Sequence, residues 1–470
     1  MRWRSHTRGI AAMLTLASLG VVGLSSLVEA DRADSTAGAA PPVGRLVQPR
    51  GADGCVHRSG INRCARGRAV RSPVDLVVSP DGRHVYVAAY GSHAVAVFAR
   101  SRRAGLLDQL RRRRGCVRQG RGGGCASGRA LGSPASIAIS PDGRNVYLAA
   151  SGSDALGIFA RNRRTGALRQ LPGARGCFSE RSGGGCMVGR ALNEPTSVAV
   201  SPDGTRVYVA GRRFPSGVAV FARAQDGSLS QPDGTAGCVS EQGGLGCSAA
   251  RGIGAPEEVL VSPDSRHVLV AGSQSDAVAV LRSGPDGLSQ SDGEAGCISQ
   301  GGVEGCAAGK ALKGPVDLAI SPDGLSVYTA SAGSDGIAAL TRDRATGALT
   351  QPEDRSGCIS QGARPRRCVG GRGLDEVWSV AISPDGRNVY AVSSKVNTLG
   401  ALTRDRESGA LEQLPGGLGC LIRAGGFGCR EGRGLTVAVA VAVSPDGRNV
   451  YVASEDAYLG SVAIFRRLGR

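Results

Sequence analysis

Asp75, Glu257, Glu258 and Asp317, together with Trp378, are the residues of this chain whose types and positions could do chemistry. Each falls four or five residues before a recurring Ser-Pro-Asp-Gly turn, where the seven copies read Val74-Asp75, Ala135-Ser136, Thr196-Ser197, Glu257-Glu258, Val316-Asp317, Trp378-Ser379 and Val439-Ala440. A scaffold has to be repeated but a site does not, so copies that depart from small and apolar residues mark the candidate. Carboxylates brought together can activate water or hold a cation. The alternative is that they cap or hydrate a solvent-filled funnel, and the spacing leaves both readings open.

The other recurrent polar residues read as structure. Asp81, Asp142, Asp203, Asp264, Asp323, Asp385 and Asp446 sit inside the turns themselves, where proline presets φ, aspartate accepts from nearby amides and glycine supplies positive φ. The fourth copy has Ser265 in the glycine slot, so its turn is expected to be the most strained. Fourteen cysteines come as two per repeat: Cys55 and Cys64, Cys116 and Cys125, Cys177 and Cys186, Cys238 and Cys247, Cys297 and Cys306, Cys358 and Cys368, Cys420 and Cys429. Zinc would need converging ligands, and His57, His84, His93 and His267 do not recur with the cysteines. Local disulfides are therefore expected, and no metal site. In an entropic account each bridge constrains the unfolded chain by about 2–3 kcal/mol.

These residues need elements to position them. The turn serines are Ser79, Ser140, Ser201, Ser262, Ser321, Ser383 and Ser444, spaced by 61, 61, 61, 59, 62 and 61 residues. Each copy holds four short β-rich runs with turn residues between them, the second copy reading Ser136 to Ser140, Asn145 to Ala149, Ala155 to Arg161 and Ala167 to Leu171. Four strands repeated radially define an all-β, seven-bladed propeller with four antiparallel strands per blade. Six of the eight tyrosines fall in one slot of the second strand, which argues for packing between blades. The last copy lacks the G-x-L-x-Q segment of the others, and Gly44-Arg-Leu-Val-Gln-Pro49 supplies it at the front, so the N-terminal strand is expected to complete the last blade. The cysteine loops are expected on the face that also carries the loops between second and third strands.

The domain organisation expected is a signal peptide over residues 1–30, a flexible segment over 31–43 and a single propeller over 44–470. The signal peptide follows from the charged start, the apolar run from Gly9 to Val28 and Val28-Glu29-Ala30; the same run kept as an anchor is the alternative. No later stretch is apolar enough to span a membrane, so the mature chain is expected to be secreted. The formal charge of +18 comes almost wholly from arginines distributed over every repeat, with no aromatic platform for bases, so no specific nucleic acid is expected.

The pattern S-P-D-G…V-Y-V-A…A-V-A-V-F…G-A-L-x-Q resembles the YVTN and lactonase-like seven-bladed β-propellers, the superfamily of 6-phosphogluconolactonase-like and carboxymuconate-cyclase-like proteins. The resemblance covers the chain after Gly44 and implies formation or hydrolysis of a lactone by polar residues at the channel mouth. No family His/Arg/Glu set falls on matching positions here, nor does the Glu/Asn/Asp calcium set of gluconolactonase-like propellers. The function expected is therefore a monomeric, disulfide-stabilised binding or scaffold protein that takes a small molecule, glycan or protein on its loop-rich face. A lactonase-type hydrolase is the alternative. No cofactor is expected, a channel calcium being the one option weighed.

Overall fold

The second repeat shows how this sequence becomes sheet. In the computed structural model, which describes residues 42–61, 63–182, 184–362, 367–455 and 460–469, Pro134–Ile139, Asn145–Ala150 and Ala155–Arg161 pair antiparallel in succession. Ser140 Oγ donates to Asp142 and accepts from Asn145 N at 3.0 Å, so the turn is closed by its own side chains. Seven such sheets are present. Their innermost strands pack side by side, with Pro73–Val78 of the first blade touching both Pro134–Ile139 and Ala438–Val443 of the seventh. Pro41–Arg470 cluster as one compact unit. The expected signal peptide (1–30) and residues 31–41 of the expected flexible segment lie outside the described residues. No helix of the described residues is long and apolar enough to cross a membrane.

The four-stranded frame carries one elaboration. The fourth strand is broken: Leu168–Gln170 pairs with the end of the third strand, a 3-10 turn follows at Gly173–Gly176, and Cys177–Ser179 pairs with the start of the third strand. The chain then doubles back, and Met187–Val188 runs parallel to the cysteine strand as an outermost edge.

All seven local disulfides form as the spacing predicts, joining Cys55 to Cys64, Cys116 to Cys125, Cys177 to Cys186, Cys238 to Cys247, Cys297 to Cys306, Cys358 to Cys368 and Cys420 to Cys429, with Cα–Cα distances of 4.7–4.9 Å. The two partners are not equivalent. The first cysteine of each pair opens a strand inside the sheet, whereas Cys64, Cys125, Cys186, Cys247, Cys306, Cys368 and Cys429 each stand one residue before the short edge strand. There the backbone is held by turn bonds, as Cys125 N donates to the Gly122 carbonyl at 3.2 Å and Cys429 N to the Gly426 carbonyl at 2.9 Å. The Cys368 carbonyl, in the loop that is one residue longer, accepts instead from Arg355 Nε at 3.2 Å. The loops turn at the level where the third strand begins, on the expected face, but at the outer rim and away from the axis.

The ring closes as the repeat offset predicts. Leu46 pairs with Arg467 and Val47 with Arg466, and Cys55–His57 pairs with the start of the same last strand. The Val43 carbonyl accepts from Asn388 Nδ2 at 3.0 Å, so the tie to the ring begins inside the segment expected to be flexible.

Between blades the polar residues form a second repeat. Six arginines close the third strands (Arg100, Arg161, Arg223, Arg342, Arg404 and Arg467), and each reaches the turn aspartate of the preceding blade, as Arg161 does Asp81 at 3.0 Å and Arg467 does Asp385 at 2.8 Å. Five of them also donate through Nε to the buried tyrosine hydroxyl of that blade. The tyrosine hydroxyl in turn donates to the glycine carbonyl of the G-x-L-x-Q segment, as Tyr86 does to Gly166 at 2.8 Å.

The two irregular copies show what this staple is worth to the fold. At the third-to-fourth junction Ser283 replaces the arginine and bonds Tyr208 at 2.7 Å, while Arg206 approaches from the opposite side and donates to the Gly284 carbonyl. Ser265 holds the glycine-like φ of +60°, and its hydroxyl accepts from Asp203 N at 3.1 Å, a bond that glycine could not make. At the fourth-to-fifth junction Leu269 replaces the tyrosine, and Arg342 Nε is left buried without a partner. Leu269→Tyr is therefore expected to raise stability by about 1 kcal/mol, measured as the shift in denaturation midpoint. A loss of stability would mean that the slot cannot admit a ring.

Candidate functional site

The site grows out of an irregularity of the innermost strands. Every one of them carries a β-bulge between its first residue and the residue two further on, as at Pro134/Ser136. The amide just beyond the bulge has to find an acceptor outside the ladder. In five blades that acceptor comes from the preceding blade: Asp75 takes Ile137 N at 2.8 Å, Ser136 takes Val198 N, Ser197 takes Val259 N, Asp317 takes Val380 N at 2.9 Å and Ser379 takes Val441 N. The series fails twice. Ala440 has nothing to offer Leu76 N, and Glu258 does not accept from Leu318 N. At both places an aspartate serves its own neighbour with its second oxygen, Asp75 binding Leu76 N and Asp317 binding Leu318 N, each at 2.7 Å.

Two of the three carboxylates at this level are thus occupied on both oxygens by backbone. Glu258 is released from the ring: among the described residues no backbone amide donates to it, and the nearby Ser197 hydroxyl favours its charged form. Burial, reinforced by the charges of Asp317 and Asp75, pushes the Glu258 carboxyl well above the usual range. Burial also lifts Asp75 to about 6, against the pull of its backbone amides, and raises Asp317, with Asp75 adding to the shift. A carboxyl held high in the folded state contributes stability below its unfolded value and loses it as pH rises through the folded value. Glu258→Gln is accordingly expected to melt above the unmodified protein at pH 8, by about 1 kcal/mol or more, with the gap closing by pH 4.5. Equal melting differences at both pH values would contradict the assigned protonation.

All five sequence-predicted residues line one cavity of about 730 Å³ at the end of the channel. Asp75, Glu258 and Asp317 stand on its wall. Glu257 is pinned above them by Arg212 at 3.3 Å and by the Ser273 hydroxyl at 3.3 Å; Arg212 also pairs with Glu194. Trp378 is on the rim, 38% exposed. Four residues escaped the sequence reading: Tyr90, Arg212, Glu376 and Glu455. Tyr90, Arg212 and Glu455 directly follow the second strands of their blades and Glu376 directly precedes the first strand of its own, places where the repeat is least regular; the doubled Arg212-Arg213 in the third copy was the one available signal. The lining holds six carboxylates and a single guanidinium in a chain of net charge +18.

The cysteine loops and the channel mouth are separate places. No cysteine lines this cavity. The clipped loops keep to the expected face but stand at its rim, because the broken fourth strand carries each clip out to the blade's edge. Cys125, Cys368 and Cys429, like the other second cysteines, fix the rim and touch none of the channel carboxylates.

The histidines lie elsewhere. His84 and His267 are buried between blades, each receiving a staple arginine on Nδ1, and burial followed by the charge of Arg161 lowers His84 to about 4. His93 Nδ1 accepts from Ser133 N at 2.8 Å, the role that Asp154 plays for Glu194 N one blade on. His57 Nδ1 accepts from Ser59 N within its cysteine loop. Among the described residues no group of three His, Cys, Asp or Glu stands close enough to hold a metal ion.

No protein-family model matches the sequence, and no curated protein matches it. Its likenesses are structural. The periplasmic gluconolactonase of Pseudomonas aeruginosa superposes with a TM-score of 0.51 at 18% identity, over 80% of this chain and 92% of that one. A candidate 6-phosphogluconolactonase of Bacteroides uniformis gives 0.50 at 20% identity, over 72% and 83%. The hydrazine synthase of Kuenenia stuttgartiensis gives 0.50 at 14% identity, over 86% and 98%. Names this different on one architecture show that the likeness fixes the fold, a seven-bladed β-propeller, and not the chemistry.

Proposed function

On the frame of a lactonase-like seven-bladed propeller, we propose that this chain is an exported binding protein whose ligand, a small polar molecule rich in hydrogen-bond donors, enters the acid-lined channel mouth. The observation that carries this reading is the state of the three channel carboxylates. Asp75 and Asp317 are committed on both oxygens to backbone amides, which suits holding a wall in place and leaves no free carboxylate pair of the kind that acid and base catalysis share. Glu258 remains to meet a hydroxyl or an ammonium, with Glu257, Glu376 and Glu455 as further acceptors above it and the exposed faces of Trp378 and Tyr90 to stack on an apolar edge. Seven disulfides suit an oxidising compartment, which supports export.

The test is a panel of sugars, amines and lactones followed by thermal shift and calorimetry, with product analysis for the lactones. Binding without turnover is expected. It should be lost in the double variant Glu258→Ser/Asp317→Ser, which rebuilds at the fourth and fifth blades the serine-to-serine relay seen at Ser136 and Ser197 and so keeps the ring intact. Ligand affinity that survives in a folded double variant would remove the channel from consideration.

A second reading, lactone hydrolysis at the same mouth, draws on one observation: burial holds the Glu258 carboxyl well above its usual range, and such a group, once ionised, can accept a proton from water. It requires lactone opening that rises with pH and falls at least about tenfold in Glu258→Gln.

A further inference from the structure

Twelve of the arginines in this chain form two repeated sets committed to the scaffold. Besides the six staples, Arg68, Arg129, Arg190, Arg251, Arg372 and Arg433 donate to carbonyls in the turn that follows the next outer strand. The arginines left over are not evenly placed. The outer strand and cysteine loop of the first blade carry eight arginines and one acid between Arg102 and Arg121, and those of the second carry five and one between Arg163 and Arg181. The corresponding segments of the third and fourth blades, Ala224 to Cys247 and Ser283 to Cys306, hold three and four acids and no basic residue.

Three further cavities fall on this basic arc. One of about 610 Å³ lies between the cysteine loops of the first and second blades and is lined by Arg121, Arg129 and Arg181 with Gln119, Ser153 and Ser182. A second, of about 600 Å³, lies beside the cysteine loop of the seventh blade and is lined by Arg63, Arg423 and Arg433. A third, of about 330 Å³, opens on the opposite face between the seventh and first blades, with Arg103, Arg448, Arg466 and Arg467. None of the three has a carboxylate in its lining. Exposed Arg111, Arg113 and Arg114 stand on the rim of the first blade, and their side chains, like those of Arg63, Arg121 and Arg423, make no hydrogen bond or ion pair among the described residues.

We propose that the rim of the seventh, first and second blades binds a linear anionic polysaccharide. The class follows from the lining. Guanidinium forks suit carboxylate and sulfate groups, and the serine hydroxyls and glutamine amide between them suit sugar hydroxyls. Grooves without Phe, Tyr or Trp offer no stacking for bases. Ile61 is the one exposed large apolar side chain among their linings, too little to anchor the rim in a bilayer.

The experiment measures fluorescence anisotropy of labelled polygalacturonate and dextran sulfate with the oxidised full-length protein across a salt series. Binding that weakens steeply with salt, and no binding of neutral dextran, are expected. Arg111→Ser/Arg113→Ser/Arg121→Ser should weaken binding at least about tenfold, whereas Arg344→Ser/Arg387→Ser/Arg406→Ser, which removes equal charge from the fifth and sixth blades, should leave it within about twofold. All six positions are exposed, and melting curves check that both variants fold. Equal loss in the two variants would reduce the effect to net charge, and tighter binding of oligo-dT or of phosphatidylserine vesicles would assign the arc to a nucleic acid or a membrane; either overturns the proposal.

Discussion

A protein that starts at Cys55 is expected to lose its cooperative unfolding transition and to become sensitive to protease, although it lacks only residues 42–54 of the described chain. Those residues hold the seventh blade to the sixth. Leu46 is buried in the core between them, and Gln48 accepts from Arg433 N and donates to the Arg433 and Gly54 carbonyls, each at 2.9 Å. The Tyr390 hydroxyl donates to the Gly44 carbonyl at 2.9 Å, and Leu468 N donates to the Arg45 carbonyl. Removing them leaves a buried hydroxyl and a sheet edge unpaired in addition to the lost apolar contact, a loss of about 5 kcal/mol or more. The control is a permutant with residues 42–54 moved behind residue 470 on a short linker, which should recover the transition. A truncated protein that melts like the full chain would show that closure does not depend on this strand.

The second large effect is expected at the staple. Arg404→Met removes a guanidinium whose side chain is 1% exposed and which serves Tyr328, Asp323, Ser326 and the Gly386 carbonyl at once. Breaking such a buried pair from one side typically costs about 3–5 kcal/mol, because the partners stay behind unpaired. Adding Asp323→Ala to Arg404→Met should therefore cost less than the sum of the two single changes, and a double-mutant cycle reads the coupling directly. Additive losses would mean that the ion pair is incidental to the junction.

The architecture was legible because each turn, tyrosine slot and cysteine pair recurs around the ring, and a repeated residue announces its role by its spacing. The displaced G-x-L-x-Q segment even revealed how the ring shuts. What repetition could not reveal was the partner. The arginines of the staple and Gln109 or Gln170 of the G-x-L-x-Q segments recur as visibly as the tyrosines, but they act across blades, on residues about 40 or 80 positions away, and no local pattern specifies that reach. The candidate site was legible as a place, because Asp75, Glu258, Asp317 and Trp378 break an otherwise bland series. The division of labour among the carboxylates was not: whether an aspartate is free or spent depends on which side chain the blade before it presents to a bulged amide.

That dependence sets a rule for how this molecule can diversify. Each innermost strand is served by its upstream neighbour, so a wedge cannot give up its acceptor alone; the next wedge must take aspartate in the same step. Ala440 with Asp75 and Glu258 with Asp317 are the two places where that exchange has been made. Novelty along the axis therefore arises in adjacent couples, always in the same rotational sense, and grafting one wedge into a foreign disc would need its downstream companion to travel with it.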